Sequence, residues 1–106
     1  MSPDAEIPDS DFADSDITVA DNPAAHRYEL HVDGALAAFT HYRLDRDRIV
    51  FLHTETLDGY AGHGLGGRLA RAALDDARAR GLHVVPRCPF IARYIVEHPE
   101  YQDLVA

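Results

Sequence analysis

Four glycines in six residues, Gly62-His63-Gly64-Leu65-Gly66-Gly67, stand between a strand-like run and a helical one. No other part of the chain constrains the fold as much. Before the glycines, Ile49-Val50-Phe51-Leu52-His53-Thr54-Glu55-Thr56 opens with four apolar residues, the pattern of an interior strand covered on both faces. After them, Gly66, Leu69, Ala70, Ala73 and Ala77 fall on one side of a helix, and Arg68, Arg71, Asp75 and Arg78 on another. This helix is expected from Gly62 or Gly64 to Arg80, with Gly81 as its C-cap. His83-Val84-Val85-Pro86 then reads as a short strand. Strand, helix and strand in that order imply a right-handed crossover with the two strands parallel.

The segments on either side complete an α/β (α+β) reading. Ile17 to Val19 is expected as a short edge strand, followed by a turn at Asp21-Asn22-Pro23. In His26 to Val32, Tyr28, Leu30 and Val32 alternate with Arg27, Glu29 and His31, the period of a half-buried strand. Asp33-Gly34 supplies a tight hairpin turn, and Ala35 to Arg43 returns antiparallel. Asp45-Arg46-Asp47 turns again into the strand beginning at Ile49. Near the end of the sequence, Pro89 opens a second helix to Glu97, His98-Pro99 stops it, and Glu100 to Val105 forms a short irregular or helical cap. The expected sheet is thus mainly antiparallel, with one parallel crossover.

With 106 residues, 46% of them hydrophobic, there is enough apolar material for one core and too little for two. The formal charge of −8 is concentrated at one end. Asp4, Glu6, Asp9, Asp11, Asp14 and Asp16 lie in Met1 to Asp16 without a basic residue, so residues 17–106 hold twelve acids against ten bases, a net of −2. The division expected is a disordered acidic leader, 1–16, and a domain, 17–106. With no basic patch, nucleic acid is not an expected partner. With no secretory pattern and no apolar run of about 18 residues, neither is a membrane, and the expected location is cytoplasmic. Cys88 is the single cysteine, which suits a reducing compartment.

The backbone amides of the glycine turn would project from a helix N-terminus, where the macrodipole favours an anion and missing side chains admit a phosphate. The same glycines also suit close packing of helix on sheet. Read literally they match a dinucleotide fingerprint, G-x-G-x-x-G, but that motif needs an acid at the end of the next strand, and Val84-Val85-Pro86-Arg87 has none. No Gly-Lys-Ser or Gly-Lys-Thr follows for a nucleoside-triphosphate loop. Arg68 and Arg71 can reach a bound phosphate or merely solvate the helix face beside Asp75.

Taken in order, Asn22, Arg27-Tyr28-Glu29-Leu30, His53-Thr54-Glu55, Gly64-x-Gly66, Cys88-Pro89-Phe90, Tyr94-Ile95 and His98-Pro99-Glu100-Tyr101 resemble the small stand-alone group of the Gcn5-related N-acetyltransferase superfamily. The resemblance spans about Ile17 to Val105. It implies a compact acetyltransferase fold and acetyl-coenzyme A as co-substrate, without a metal. The cofactor would be held by Gly62, His63, Gly64, Leu65, Gly66, Gly67 and Arg68. The family's pyrophosphate motif usually begins with Gln or Arg, and here that first position is Ala61.

Acetyl transfer to an amine needs a neutral amine, a stabilised oxyanion and a proton for the departing thiolate. Cys88 is the first candidate: as the N-cap of a helix opened by Pro89, and beside Arg87, it would gain thiolate character, although a buried cysteine is equally a small hydrophobe. The resemblance places the matching cysteine near the acetyl group, where it can carry the acetyl covalently or only hydrogen-bond the reacting centre. Glu55, and His53 two residues before it, are candidates for taking the amine's proton, against plain readings as a surface carboxylate and a core imidazole. Tyr94 and Tyr101 are lesser candidates for a general acid. His26, His31 and His41 read as exposed strand residues, and no histidine spacing suggests a metal site. The function expected is acetyl-coenzyme A-dependent N-acetylation of an unidentified primary amine. The alternatives are a coenzyme A binding module without turnover and a structural interaction domain. Because the long helical segment that larger members insert between their first strands is absent, acceptor recognition calls for a partner, a homodimer or an open groove.

Overall fold

The computed structural model describes residues 15–106. All but Ser15 and Asp16 of the acidic leader therefore lie outside the described residues. Five strands form one sheet in the order β1-β2-β3-β4-β5: β1 Ile17–Asn22, β2 Arg27–Val32, β3 Ala35–Asp45, β4 Arg48–Thr56 and β5 His83–Pro86. The first four pair antiparallel, and β5 runs parallel to β4. Helix α1, Leu65–Ala79, makes the crossover between β4 and β5, and α2, Pro89–Glu97, follows β5. A 3-10 segment, Pro99–Leu104, leads to Val105, which bridges to Val84 on the outer side of β5.

Local chemistry accounts for the boundaries. Strand β1 ends in a 3-10 turn, Pro23–Ala25, where the Asn22 side chain accepts a hydrogen bond from Ala25 N–H at 3.3 Å while its amide donates to Glu29 at 3.0 Å. The expected edge strand is therefore three residues longer than Ile17 to Val19. Gly64, with φ of 77°, is the N-cap of α1. At its other end, Leu82 N–H donates to the Ala77 carbonyl and Gly81 N–H to the Arg78 carbonyl, a Schellman motif that the positive φ of Gly81 permits. Pro89 opens α2 as anticipated, with Cys88 as N-cap.

The helices pack on one face of the sheet. Leu65, Leu69, Ala70, Ala73, Leu74 and Ala77 of α1, with Ile91 and Ile95 of α2, meet Tyr28, Leu30, Tyr42, Ile49 and Phe51 in a single core. The opposite face carries no helix among the described residues. Ile49, Val50 and Phe51 are all buried, as two-sided cover would have them, but Leu52 is 41% exposed. A bulge stands where the buried run ends. His41 pairs with His53, but the next residue on β3, Tyr42, pairs with Phe51, so Leu52 is the extra residue on β4. Beyond it the inward and outward sets exchange parity.

Candidate active site

Strands β4 and β5 stay together only over Arg48–Phe51 and His83–Pro86. The last link between them is the Cys88 N–H donated to the Phe51 carbonyl at 2.9 Å. From there β4 continues to Thr56 while the chain turns into α2, so the two strands part, with Cys88 at the point of divergence and Thr54 on the unpaired stretch of β4. The glycine turn lies just beyond the end of β4, and the N-terminus of α1 emerges from it.

At that N-terminus, Arg68 N–H donating to the Gly64 carbonyl at 3.3 Å begins the intrahelical ladder, which leaves the amides of Leu65, Gly66 and Gly67 without helical partners. Leu65 buries its side chain in the core, so only its backbone can meet a ligand. Gly66 is there for space: a Cβ at that position would stand 2.9 Å from Phe90 Cζ. Gly62 and Gly64 hold positive φ angles of 84° and 77°, and His63 between them is half-buried. Beside the turn, a cavity of about 400 Å³ is lined by Gly64, Gly67, Arg68, Arg71, Phe90 and Tyr94 among others. No acid stands in the first turn of α1. Arg68 and Arg71 carry no ion pair among the described residues, an arrangement that works against the helix dipole unless an anion answers it.

The cysteine and the two β4 candidates lie on opposite faces. Cys88 is 2% exposed and faces the helices, its Sγ 3.3 Å from Thr54 Oγ1. The sulfur makes no cap to the α2 backbone. Thr54 Oγ1 is in turn 2.8 Å from Oγ1 of Thr40, which is fully buried. His53 and Glu55 point to the uncovered face, 3.3 Å apart, with side chains 63% and 52% exposed. The structure thus brings His53 and Glu55 together, and places them across the sheet from Cys88. The imidazole of His53 is not the core residue that its plainer reading supposed. Around the pair, His41 stands opposite His53 and Phe39 opposite Glu55, and the Arg27 guanidinium lies 4.6 Å over the Phe39 ring. Glu29 accepts from Arg27 at 2.7 Å and from the Asn22 amide, and these donors hold its carboxyl below the usual range.

Tyr94 borders the cavity, stacked on His98 with ring centres 3.8 Å apart, and burial raises its phenol above the ordinary value. Tyr101 donates to Asp75 at 2.6 Å, a structural bond between α1 and the 3-10 segment. Thr40 carries no signal in the sequence, and Thr54 has none there beyond its place within His53-Thr54-Glu55. No group of three metal-ligating side chains occurs among the described residues, and no described helix is long and apolar enough to cross a membrane.

A mixed five-stranded sheet whose parallel pair diverges over a glycine turn is the architecture of an acetyltransferase, and comparison with known proteins agrees. The family described as GCN5-related N-acetyl-transferase matches residues 27–104. Protein NATD1 of Bos taurus is 31% identical over 106 residues, covering 98% of this chain and 94% of that protein. Protein NATD1 of Homo sapiens is 43% identical over 58 residues, 54% of this chain and 51% of its own length. The solution structure of a GCN5-like protein from Staphylococcus aureus superposes with a TM-score of 0.65 at 23% identity, over 84% of this chain and 87% of that one, and so shares the fold. The chain belongs to the GCN5-related N-acetyltransferase family.

Proposed function

We propose that this protein transfers the acetyl group of acetyl-coenzyme A to a primary amine. The observation that carries the reading is the divergence of β4 from β5 at Phe51 and Pro86, with Cys88 at the apex and the glycine turn at the open end. The donor substrate's pyrophosphate fits the free amides of Leu65, Gly66 and Gly67, with Arg68 beside them. Three residues on, a rise of about 4.5 Å, Arg71 is placed for a more distant phosphate of the nucleotide. The unpaired edge of β4 from Leu52 to Thr56 offers backbone groups to the amide-bearing arm that connects nucleotide and thioester.

Three groups carry the chemistry in this reading. Cys88 meets the acetyl carbon. Glu55 and His53 receive the proton an ammonium must lose, from the face that no described helix covers, where an acceptor can approach without displacing the core. Because that face is open, the acceptor need not be small, and a peptide or protein amine suits it as well as a small molecule. Coenzyme A release, followed as free thiol while a panel of amines is offered, tests the reading. Amine-dependent release that falls at least tenfold in Glu55→Gln supports it. Acetyl-coenzyme A binding with no release for any amine would leave a binding module in its place.

A further inference from the structure

Tyrosines aside, Thr40 is the one buried residue with a hydroxyl or charged side chain among the described residues, in a strand position where valine would fill the same volume without burying a hydroxyl. Among the described residues its Oγ1 has a single hydrogen-bond partner, Thr54 Oγ1 at 2.8 Å, and it is 0% exposed. That fixes the direction of the chain. If Thr54 donated to Thr40, the Thr40 proton would be buried without an acceptor, an unfavourable desolvation. The satisfied arrangement has Thr40 donating to Thr54, which leaves the Thr54 proton for its other partner, Cys88 Sγ at 3.3 Å. The sulfur accepts, and its own proton is not engaged by Thr54.

We infer that Thr54, backed by Thr40, is a positioning residue that turns Cys88 Sγ toward the thioester and steadies the charge it bears in each half of a two-step transfer. The inference rests on the acetyl-coenzyme A reading above. In the first step Cys88 Sγ bonds to the acetyl carbon, the bond from that carbon to the coenzyme A sulfur breaks, and the Cys88 proton leaves with coenzyme A as its thiol. In the second step the amine nitrogen bonds to the acetyl carbon, the Cys88 carbon–sulfur bond breaks, and a proton from the amine returns to Sγ. Negative charge develops on Sγ as its proton departs and again as the sulfur leaves the acetyl carbon, and a hydroxyl donating to it strengthens at both moments. The chain ends in buried Thr40, so it orients and polarises but conducts no proton to solvent.

The test compares the wild type, Thr54→Val, Thr54→Ser and Cys88→Ala. The chain contains no lysine, so acetyl added by acetyl-coenzyme A and located by peptide mass is readily assigned to Cys88 or to the α-amine. Acetylation of Cys88 is expected to slow at least tenfold in Thr54→Val, with the dissociation constant for acetyl-coenzyme A within twofold, and to recover to within about threefold in Thr54→Ser. Equal rates in wild type and Thr54→Val, or a Thr54→Ser as slow as Thr54→Val, would overturn the role, as would a wild type that binds acetyl-coenzyme A and leaves Cys88 unmodified. A titration without binding would remove the underlying reading instead. The direction of the hydroxyl chain has its own readout in the infrared S–H stretch of the only thiol. The wild-type band should lie at the frequency of an undonated S–H, whereas a lowered band that rises in Thr54→Val would show the sulfur donating and contradict the chain.

Discussion

Gly66 shows how a single missing methyl shapes the cavity. Alanine there would gain up to about 1 kcal/mol of helix propensity in solution, yet its Cβ would meet Phe90 Cζ at 2.9 Å. The ring must swing away, and it is the ring that closes one wall of the cavity. Gly66→Ala is therefore expected to fold and to bind acetyl-coenzyme A more weakly, while Phe90→Ala in the same chain restores part of the affinity. A coupling of at least about 0.5 kcal/mol in the binding cycle checks this, and strict additivity would mean that the two residues do not meet. Arg71 makes a second residue-level case. If it reaches the phosphate on the adenosine ribose, Arg71→Gln should weaken coenzyme A about tenfold and 3′-dephospho-coenzyme A hardly at all; equal losses would place Arg71 elsewhere. The glycines were legible because their type, spacing and place before a helix all say the same thing. Phe90 was not, since nothing in a sequence says which side chain leans on a given glycine.

At the scale of elements, β4 marks the limit of reading by alternation. Strict period two puts Ile49, Phe51, His53 and Glu55 on one face, which would set His53 and Glu55 beside the cysteine. The Leu52 bulge resets the count, so Thr54 faces Cys88 while His53 and Glu55 face outward. Strand existence and pairing followed from the turns and the apolar pattern. A one-residue bulge leaves no mark in composition, and the residue it conceals is Thr54. The helix-to-sheet contacts were likewise hidden in polar residues. The Tyr28 hydroxyl donates to Asp76 and the Tyr42 hydroxyl to Asp21, with Arg80 donating to both acids and to Tyr28, so α1 is fastened to β1, β2 and β3. Burial, and then the bond to Asp21, push the Tyr42 phenol up to about 12, and burial with Asp75 does the same for Tyr101. Burial and Asp76 raise Tyr28 as well. The unfolded chain gives up these protons near pH 10 and the folded one holds them, so the stability they lend is complete below pH 10 and is lost as pH rises toward 12. Denaturant midpoints should fall across that interval, and Tyr42→Phe should reduce the slope by about 1.4 kcal/mol per pH unit. An unchanged slope would mean that Tyr42 titrates freely.

At the scale of the molecule, the described residues form a two-layer member of the acetyltransferase family, with no helix on one face of the sheet. Its order of strands, crossover and helices could be read from the sequence because each turn carries its own chemistry: Asp33-Gly34, Asp45 to Asp47, Gly62 to Gly67, Gly81 and Pro89. That both helices share a face could not, since it depends on β5, α2 and Val105 continuing the sheet outward in the same sense as β4, α1 and β5. Acetyl-coenzyme A at a hundred times its dissociation constant should stabilise the folded chain by about 2.7 kcal/mol, on the order of 10 °C in melting temperature for a domain of this size. The central claim is that the glycine turn and the parting of β4 from β5 hold this donor, and calorimetric titration of the purified protein tests it most directly. One site per chain, lost in a folded Gly64→Val that cannot keep the positive φ of the N-cap, is the predicted result. No binding at millimolar acetyl-coenzyme A, or undiminished binding in Gly64→Val, would contradict it.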